Sequence, residues 1–324
     1  MNALRVEVPG LLTTVQDLGR LGFERFGVPA SGAMDPFALR AANALVGNPA
    51  GAAGLELGWD GLTVTAGAEG VWAVTGAGAG LSARVNGRAR PLWTALYLRA
   101  GETLEIEKAP GGWAYLGVRG GVDAPLVMGA RATYLRGGFG GWQGRSLRAG
   151  DALPIGPLPG ACPWPTVAGR RLPPEARPAY GPAVTVGVLP GPQAERFSAE
   201  QLAVFFSAEY TVTPEADRMG YRLSGPALLP AEPDLLSEAM PLGAIQVPAG
   251  GAPIVMLADR PTTGGYPKIA VVARADIPLV AQCPPGGRLR FHALTVADAQ
   301  ARYRAQLAAL LQIEDDPNAS VSHV

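Results

Sequence analysis

Histidine is nearly absent from this chain of 324 residues, which contains only His292 and His323. His323 lies at the C-terminal end, and His292 follows an alternation of polar and apolar residues that predicts a strand with His292 on its solvated face. A Ser/His/Asp or Cys/His nucleophilic site needs imidazole at the reacting centre, and a histidine-rich metal site needs it as a ligand. The scarcity of histidine disfavours both kinds of site, and we predict no metal centre in this chain.

Cysteine is equally scarce. Cys162 and Cys283 lie far apart, without the C-x-x-C spacing of a redox pair or the number of ligands that a zinc site needs. We interpret them as two reduced thiols, as is usual in cytoplasmic proteins. No run of about 18 apolar residues occurs, and the first residues, MNALRVEVPG, contain no signal-peptide core. We therefore expect a soluble, cytoplasmic protein that does not bind a membrane.

Charge of one sign is not in excess, because 27 Lys and Arg residues balance 27 Asp and Glu residues. Proteins that bind nucleic acid or anionic lipid mainly through charge carry a basic excess. We therefore do not expect nucleic acid as a partner. The 48% hydrophobic content is enough for packed cores, and the length corresponds to about two domains.

Lysine is the most informative scarcity, because the chain has 25 arginines but only two lysines, Lys108 and Lys268. Lys268 ends the segment DRPTTGGYPK, residues 259–268, where two adjacent glycines let the backbone approach a ligand closely. A guanidinium cannot replace a compact ammonium that can lose its proton. Lys268 is therefore the first catalytic candidate, the alternative being a surface lysine that ends a turn, and Lys108 is given no role. The same segment supplies four candidates for substrate binding: Arg260, Gly264, Gly265 and Tyr266.

Short apolar runs separated by turn residues recur along most of the chain at a spacing typical of all-β folds. Nine of the 31 prolines lie between residues 153 and 182, which marks a domain junction. The fold class is therefore predicted to be mainly β with a few helices, in two β-barrel-like or sandwich-like domains. The predicted parts are an N-terminal domain over 1–155, a proline-rich linker over 156–182, a C-terminal domain over 183–295, and a C-terminal helix with a mobile tail over 296–324.

Three helices are predicted. Asp35 can cap a helix that begins at Pro36 and ends before the Gly47-Asn48-Pro49 stop. A second helix is predicted near Ser198 to Ser207, with Leu202, Phe205 and Phe206 as its apolar face. The third runs from Val296 to Leu311, and the polar tail from Ile313 to Val324 is expected to be mobile.

Further site candidates lie in loops. The stretch from Gly129 to Arg145 mixes glycines, arginines and aromatics, and its Arg136 could bind a carboxylate or phosphate, although tight barrel corners explain the glycines equally well. Asp17 and Arg20 are either a functional pair or an ion pair that fixes a loop, and Ser31 precedes the first helix. The run from Thr75 to Gly80 is followed by no helix, which argues against a dinucleotide site.

Two acidic residues in the second half are candidates for acid–base chemistry. Asp217, beside Arg218, and Glu238 lie at predicted strand entrances, where barrel sites open. The alternative for each is a solvated turn acid. Without histidine, these carboxylates are the groups to which proton transfer is assigned.

Five segments occur in a fixed order: PGLLTTVQDLGRLGFERFGVPASGAMDPFALRAANALVGN, GARATYLRGGFGGWQGRSLRAGD, DRMGYRLSG, SEAMPLGAIQVP and DRPTTGGYPKIA. In these segments the chain resembles the biotin-dependent carboxyltransferase family over about residues 4–292. More narrowly, it is similar to the group formed by allophanate hydrolase subunit 2, KipA and the C subunit of 5-oxoprolinase.

The resemblance implies two linked cyclophilin-like β-barrel domains and at least one partner. That partner is a subunit 1 or KipI-like protein, the B subunit of 5-oxoprolinase, joined in the bacterial enzyme by a LamB/YcsF-like A subunit. Such a complex opens the ring of 5-oxo-L-proline to L-glutamate with ATP, which we expect to be accompanied by Mg²⁺. The chain has no carrier segment of the Ala-Met-Lys-Met type, so we expect no biotin bound to it.

The resemblance suggests roles for the candidates. Amide chemistry of this kind places negative charge on a carbonyl oxygen, which cations prepared in advance stabilise. Lys268 and Arg260 would supply that charge with help from Arg136, while Asp217 or Glu238 would handle a proton. Two alternatives stay open. One is a KipA-like regulator that binds a KipI-like kinase inhibitor, and the other is the carboxyltransferase subunit of a urea carboxylase or allophanate-type enzyme.

Overall fold

The computed structural model describes residues 3–157 and 167–315, in which the chain divides into two compact units. The first unit consists of the described residues within Met1–Arg20, Ser31–Arg177 and Leu307–Val324. The second consists of Leu21–Ala30 and Pro178–Gln306, so the main division falls inside the predicted linker. Among the helices of the described residues, none is long and apolar enough to span a bilayer.

The first unit is built from two antiparallel sheets of short strands. Its strands are β1 (Ala3–Val8), β2 (Thr13–Gln16), β3 (Gly54–Leu57), β4 (Leu62–Ala66), β5 (Gly70–Gly76), β6 (Ser82–Val85), β7 (Arg88–Arg90), β8 (Ala95–Leu98), β9 (Thr103–Glu107), β10 (Ala114–Val118), β11 (Ala152–Pro154) and β12 (Arg170–Arg171). One sheet has the order β11-β1-β4-β9-β6-β7 and the other the order β2-β3-β10-β5-β8. Leu4, Val64, Leu104 and Leu116 belong to one hydrophobic core that these strands share. Burial of alternate residues, as in β4, accounts for the period of two in the sequence.

Helix α1 (Pro36–Leu45) confirms the prediction for the first helix. The Asp35 carboxylate accepts a hydrogen bond from the Ala38 amide at 2.9 Å, and the proline occupies the first helical position, where no amide hydrogen is needed. Phe37, Leu39 and Leu45 are buried because the helix packs on β5 and β10. The cap and the apolar face together determine where this helix begins and how it lies on its sheet.

The second unit contains a closed seven-stranded barrel, which confirms the mainly β class. Its strands are β13 (Ala183–Pro190), β14 (Tyr210–Val212), β15 (Gly220–Ser224), β16 (Glu238–Ala239), β17 (Ala244–Gln246), β18 (Ile254–Met256), β19 (Thr263–Gly264), β20 (Lys268–Val272) and β21 (Arg288–Ala293). The barrel order is β13-β20-β17-β18-β15-β14-β21, closed by a parallel pairing of β13 with β21. Strands β16 and β19 pair separately as a two-stranded sheet.

The remaining helices are α2 (Ala199–Ser207), α3 (Ile277–Gln282) and α4 (Val296–Ala309), and short 3-10 helices span Glu24–Phe26, Pro174–Ala176, Ala194–Arg196 and Arg274–Asp276. Helix α2 is confirmed with Ser198 as its cap, but Phe206 is 37% exposed and only Phe205 of the expected apolar face is buried. Helix α3 was not predicted, because six largely apolar residues show no helical period.

Helix α4 begins where predicted and ends at Ala309, two residues early. The tail was expected to be mobile from Ile313, yet β22 (Glu314–Asp315) pairs with β12 in an antiparallel two-stranded sheet. Residues 316–324 and Cys162 lie outside the described part of the chain. Cys283 is a buried free thiol, and burial raises its pKa to about 11.

Candidate functional site

Lys268 begins β20 and is the central residue of a polar cluster in the second unit. A one-residue irregularity in the pairing of β17 with β20 brings Lys268, rather than Ile269, opposite Gln246. The Lys268 side chain is 1% exposed, and its Nζ lies 2.5 Å from Oε1 of Glu238. A buried ammonium needs such a partner, because an unpaired charge in an apolar interior is strongly destabilising.

Glu238 lies on β16, where it pairs with Gly264 of β19, and its side chain is 42% exposed. The hydrogen bond from Lys268 lowers the pKa of this carboxyl, and burial opposes that shift only in part. A second donor, the side chain of Gln193, also lowers the pKa of Glu238. The pair therefore combines a cation withdrawn from solvent with a carboxylate that solvent can reach.

Gln193 was missed by sequence reasoning. Its Nε2 donates to Oε1 of Glu238 at 2.7 Å, and its Oε1 accepts from the backbone N–H of Lys268 at 3.2 Å. The available signal was the Gly191-Pro192 turn that follows a strand, which marks a tight loop but says nothing of its partners. The residue separation of 45 between Gln193 and Glu238 hides their contact from any local pattern.

The two glycines of the DRPTTGGYPK segment make room for protein atoms. A Cβ at Gly264 would lie 2.4 Å from Cε of Met240 and 2.8 Å from Nε2 of Gln246. A Cβ at Gly265 would lie 2.9 Å from the carbonyl oxygen of Leu235. The glycines therefore let the segment that carries Glu238 pack against β19. Beside them, Tyr266 is 42% exposed and accepts a hydrogen bond from Gln246 through its backbone carbonyl at 3.2 Å.

Arg260 contributes a second cation near this segment. Its Nε donates to the carbonyl of Met240 at 2.8 Å and its Nη1 to the carbonyl of Leu257 at 3.4 Å. Burial lowers the pKa of the Arg260 guanidinium, while the charges of Glu24 and Asp259 oppose that shift. Within residues 3–157 and 167–315, no carboxylate forms an ion pair with Arg260. Carbonyl oxygens alone orient this guanidinium, which leaves its charge available to an anionic group.

Arg218 and Asp217 have other surroundings. Arg218 forms a buried two-point ion pair with Asp259, with Nε–Oδ2 at 2.8 Å and Nη2–Oδ1 at 3.1 Å. Asp217 is exposed, and its Oδ1 accepts from the amides of Met219 at 2.7 Å and Gly220 at 3.2 Å. Asp217 thus stabilises the turn that leads into β15, which matches the alternative of a solvated turn acid.

In the first unit, Asp17 and Arg20 each bind the backbone of the glycine-rich stretch. The Asp17 carboxylate accepts from the amides of Gly19 at 2.8 Å and Arg131 at 2.5 Å. The buried guanidinium of Arg20 donates to the carbonyl of Ala132 and stacks 5.0 Å from the ring of Phe139. These contacts fix two loops against each other, as an anchoring role would require.

Ser31 and Arg136 also lie in the first unit. Ser31 is buried with φ at 53°, a conformation that is strained for a serine, and within the described residues its Oγ has no hydrogen-bond partner. Arg136 is exposed in a turn closed by a hydrogen bond from the Gly138 amide to the Leu135 carbonyl at 3.2 Å. The second unit therefore brings together Lys268, Glu238, Arg260, Gly264, Gly265 and Tyr266, and the first unit holds Asp17, Arg20, Ser31 and Arg136.

Comparisons with known proteins agree with this geometry. The family model of the carboxyltransferase domain, subdomains A and B, matches residues 26–293. The chain is 39% identical to the C subunit of 5-oxoprolinase from Escherichia coli over 96% of this chain and 100% of that protein. It is 36% identical to the C subunit of 5-oxoprolinase from Haemophilus influenzae over 88% of this chain and 89% of that protein. The crystal structure of Kluyveromyces lactis urea carboxylase superposes with a TM-score of 0.88 and 31% identity over 97% of this chain, which spans 29% of that longer protein.

Proposed function

This chain belongs to the carboxyltransferase domain family, and we propose that it is the C subunit of an ATP-dependent 5-oxoprolinase complex that converts 5-oxo-L-proline to L-glutamate. The observation that carries the proposal is the Lys268–Glu238 pair, in which a buried ammonium is held against a carboxylate open to solvent. Similarity to two 5-oxoprolinase C subunits along nearly the whole chain supports the choice of substrate.

The chemistry makes two demands on the site. Opening the lactam breaks its C–N bond, adds the oxygen of water to the carbonyl carbon and adds protons to the ring nitrogen. Negative charge gathers on the carbonyl oxygen on the way, and preorganised cations stabilise it in a site shielded from water. Lys268 and Arg260 are the fixed cations of the cluster, and Glu238 holds a proton at the oxygen that solvent and substrate can reach.

ATP is proposed as a co-substrate of the assembled complex, with Mg²⁺, and no biotin is proposed on this chain. Lys268 and Arg260 have the charge and the donors that suit phosphoryl or carboxylate oxygens. The proposed partners are the KipI-like B subunit together with the LamB/YcsF-like A subunit, in keeping with relatives that are named as subunits. Because the reaction consumes ATP, we place the complex in the cytoplasm.

Carboxyl transfer to an amide is the second candidate function. It is favoured by the similarity to urea carboxylase over 97% of this chain. Transfer of a carboxyl group from carboxybiotin to an amide nitrogen also develops negative charge on a carbonyl oxygen and requires removal of a proton. The same pair, Lys268 with Glu238, would serve either reaction, so the substrate must be decided by assay.

The test is release of glutamate from 5-oxoproline and ATP by this chain alone, by the chain with its KipI-like partner, and by all three proteins. We expect release only from the three-protein mixture, and loss of release in the mixture that contains Lys268→Met. Arg222→Met, which removes an exposed cation of the same unit, is the matched control and should retain activity.

Three proteins that assemble without releasing glutamate would refute the proposal. In that case, carboxylation of an amide by carboxybiotin with this chain would establish the second function. Binding of the KipI-like protein without either reaction would favour the KipA-like regulator.

A further inference from the structure

Gln193 contacts both members of the ion pair. Its Nε2 donates to Oε1 of Glu238 at 2.7 Å, while its Oε1 accepts from the backbone amide of Lys268 at 3.2 Å. Its own backbone amide donates to the carbonyl of Lys268 at 3.4 Å. One side chain therefore ties the carboxylate to the strand end that carries the ammonium.

The local sequence places Gln193 there. A Cβ at Gly191 would lie 2.0 Å from the carbonyl oxygen of Lys268, so only glycine lets the Gly191-Pro192 turn pass so close to β20. Gln193 precedes the 3-10 helix Ala194–Arg196, whose Arg196 Nη1 donates to the carbonyls of Glu232 at 3.1 Å and Asp234 at 3.3 Å. The same short helix thus holds the segment that leads to Glu238 as well as Glu238 itself.

We propose that Gln193 is a positioning residue that fixes which carboxylate oxygen of Glu238 faces the substrate, a role that rests on the proposed function of the Lys268–Glu238 pair. Nothing in the similarity to 5-oxoprolinase C subunits assigns this role. Gln193 acts on the reaction only through Glu238 and Lys268.

The argument follows from the donors around the carboxylate. Oε1 of Glu238 receives two hydrogen bonds, from Nζ of Lys268 and from Nε2 of Gln193. Within residues 3–157 and 167–315, no donor reaches Oε2, and the side chain is 42% exposed. A carboxylate held by one donor can rotate and exchange its oxygens, whereas two donors at one oxygen fix the other as the reactive one.

The charged groups that face Glu238 determine the sign of the expected effect. Lys268, on β20, and Arg196, on the 3-10 helix, both lower the pKa of Glu238, as does the Gln193 hydrogen bond. Removal of the Gln193 donor leaves the two cations in place. The pKa of Glu238 should therefore rise toward its ordinary value without reaching it.

Lysine scarcity makes the measurement simple. In the full chain labelled with [13Cε]lysine, Lys108 and Lys268 give two signals, and the signal lost in Lys268→Met is that of Lys268. The Lys268 signal shifts when its partner Glu238 takes up a proton. We expect the midpoint of this acid titration to lie about 0.5–1 pH unit higher in Gln193→Leu than in the wild type, as for one lost hydrogen bond to a carboxylate.

Gln306→Leu is the matched control, because Gln306 also donates from its amide in the same unit, to the carbonyl of Ala275 at 2.8 Å. Its midpoint should equal that of the wild type. If Gln193→Leu does not fold, Gln193→Glu replaces the amide by a second carboxylate, and repulsion should raise the midpoint further. An unchanged midpoint in whichever folded variant is measured would overturn the proposal.

Turnover supplies the second readout. In the three-protein complex, Gln193→Leu should lower kcat about tenfold with little change in KM, and the acid limb of the kcat profile should move upward with the titration midpoint. A change confined to KM, with an unmoved acid limb, would contradict positioning. If the wild-type complex releases no glutamate, the proposed function fails while the titration still decides the role of Gln193.

Discussion

The second unit contains two ion pairs that differ in one respect. Arg218 and Asp259 are both 7% exposed and meet through two parallel hydrogen bonds. In the other pair, Lys268 is 1% exposed but Glu238 is 42% exposed. The first pair is closed to solvent at both ends, and the second is closed only at the cation.

This difference separates stability from chemistry. A closed pair satisfies its own charges and offers no atom to a substrate, so its removal mainly affects folding. An open pair keeps an ammonium in a fixed, shielded position and presents a carboxylate oxygen outward, which is an arrangement suited to charge stabilisation and proton transfer. Two pairs of the same chemical type in one barrel are therefore expected to fail in different assays.

The largest expected effect is on turnover at the open pair. Lys268→Met should lower kcat/KM of the assembled complex roughly 10²–10⁴-fold, because the cation that stabilises the developing charge is lost. Steady-state glutamate release measures this change, and circular dichroism monitors folding. Lys268→Arg keeps the charge but changes its shape and should recover only part of the activity. Near-normal activity of the methionine variant would remove Lys268 from the chemistry.

At the closed pair, the expected effect is on stability. Arg218→Met leaves the Asp259 carboxylate buried without its partner and should lower the free energy of unfolding by about 3–5 kcal/mol, measured by urea denaturation. Replacing both residues, in Arg218→Met with Asp259→Leu, should recover much of this loss, because no buried charge is left unpaired. If Arg218→Met instead unfolds normally but loses activity, the division between closed and open pairs is wrong.

Glu238→Gln tests the open end of the second pair. The change removes the proton acceptor with little change in shape and should lower kcat about 10²-fold in the glutamate assay. Because the folded pKa of Glu238 lies below its ordinary value of 4.5, ionised Glu238 stabilises the fold above that value. The stabilisation is lost as the pH falls through the folded pKa. A comparison of unfolding at pH 6 and pH 3 should therefore show a smaller decrease in the variant than in the wild type.

The smallest expected effect concerns a buried cation with no carboxylate bound to it. Lys108 Nζ donates to the carbonyls of Gly58 at 2.9 Å and Ala109 at 3.1 Å, and burial lowers its pKa to about 8 from 10.5, an effect that Asp60 only partly opposes. Between these values the unfolded chain binds a proton that the folded chain lacks, so stability rises with pH in that window. Urea denaturation at pH 7 to 10 should show this rise in the wild type and not in Lys108→Met.

Several features of the fold were predictable from local sequence. Asp35 and Pro36 mark the start of α1 because a cap and a proline act on the adjacent amides, and the alternation in Leu62–Ala66 marks a strand because its alternate residues face one core. Helix α3 was missed because a short apolar segment looks the same in a buried strand and a buried helix. The pairing of β22 with β12 was missed because its partner residues are more than 140 positions apart.

The candidate site was predictable only in part. The rarity of lysine and the paired glycines drew attention to Lys268, and the strand-entrance position drew attention to Glu238. The same reasoning gave equal weight to Asp217, whose carboxylate instead binds the amides of its own turn. It could not find Gln193, since an amide side chain carries no charge or spacing pattern that distinguishes it from other polar loop residues.

The sequence by itself determined the β-rich class, the caps of its main helices, the family to which it is similar and the short list of ionisable residues available for chemistry, because these depend on composition and on neighbours along the chain. Only the tertiary structure decided which of those residues are paired and which are open to solvent. Lys268 lies 30 positions from Glu238 and Arg218 lies 41 from Asp259, and both pairs form only when the barrel closes. Burial and long-range contact are properties of the folded chain, and they distinguish the closed ion pair from the open one.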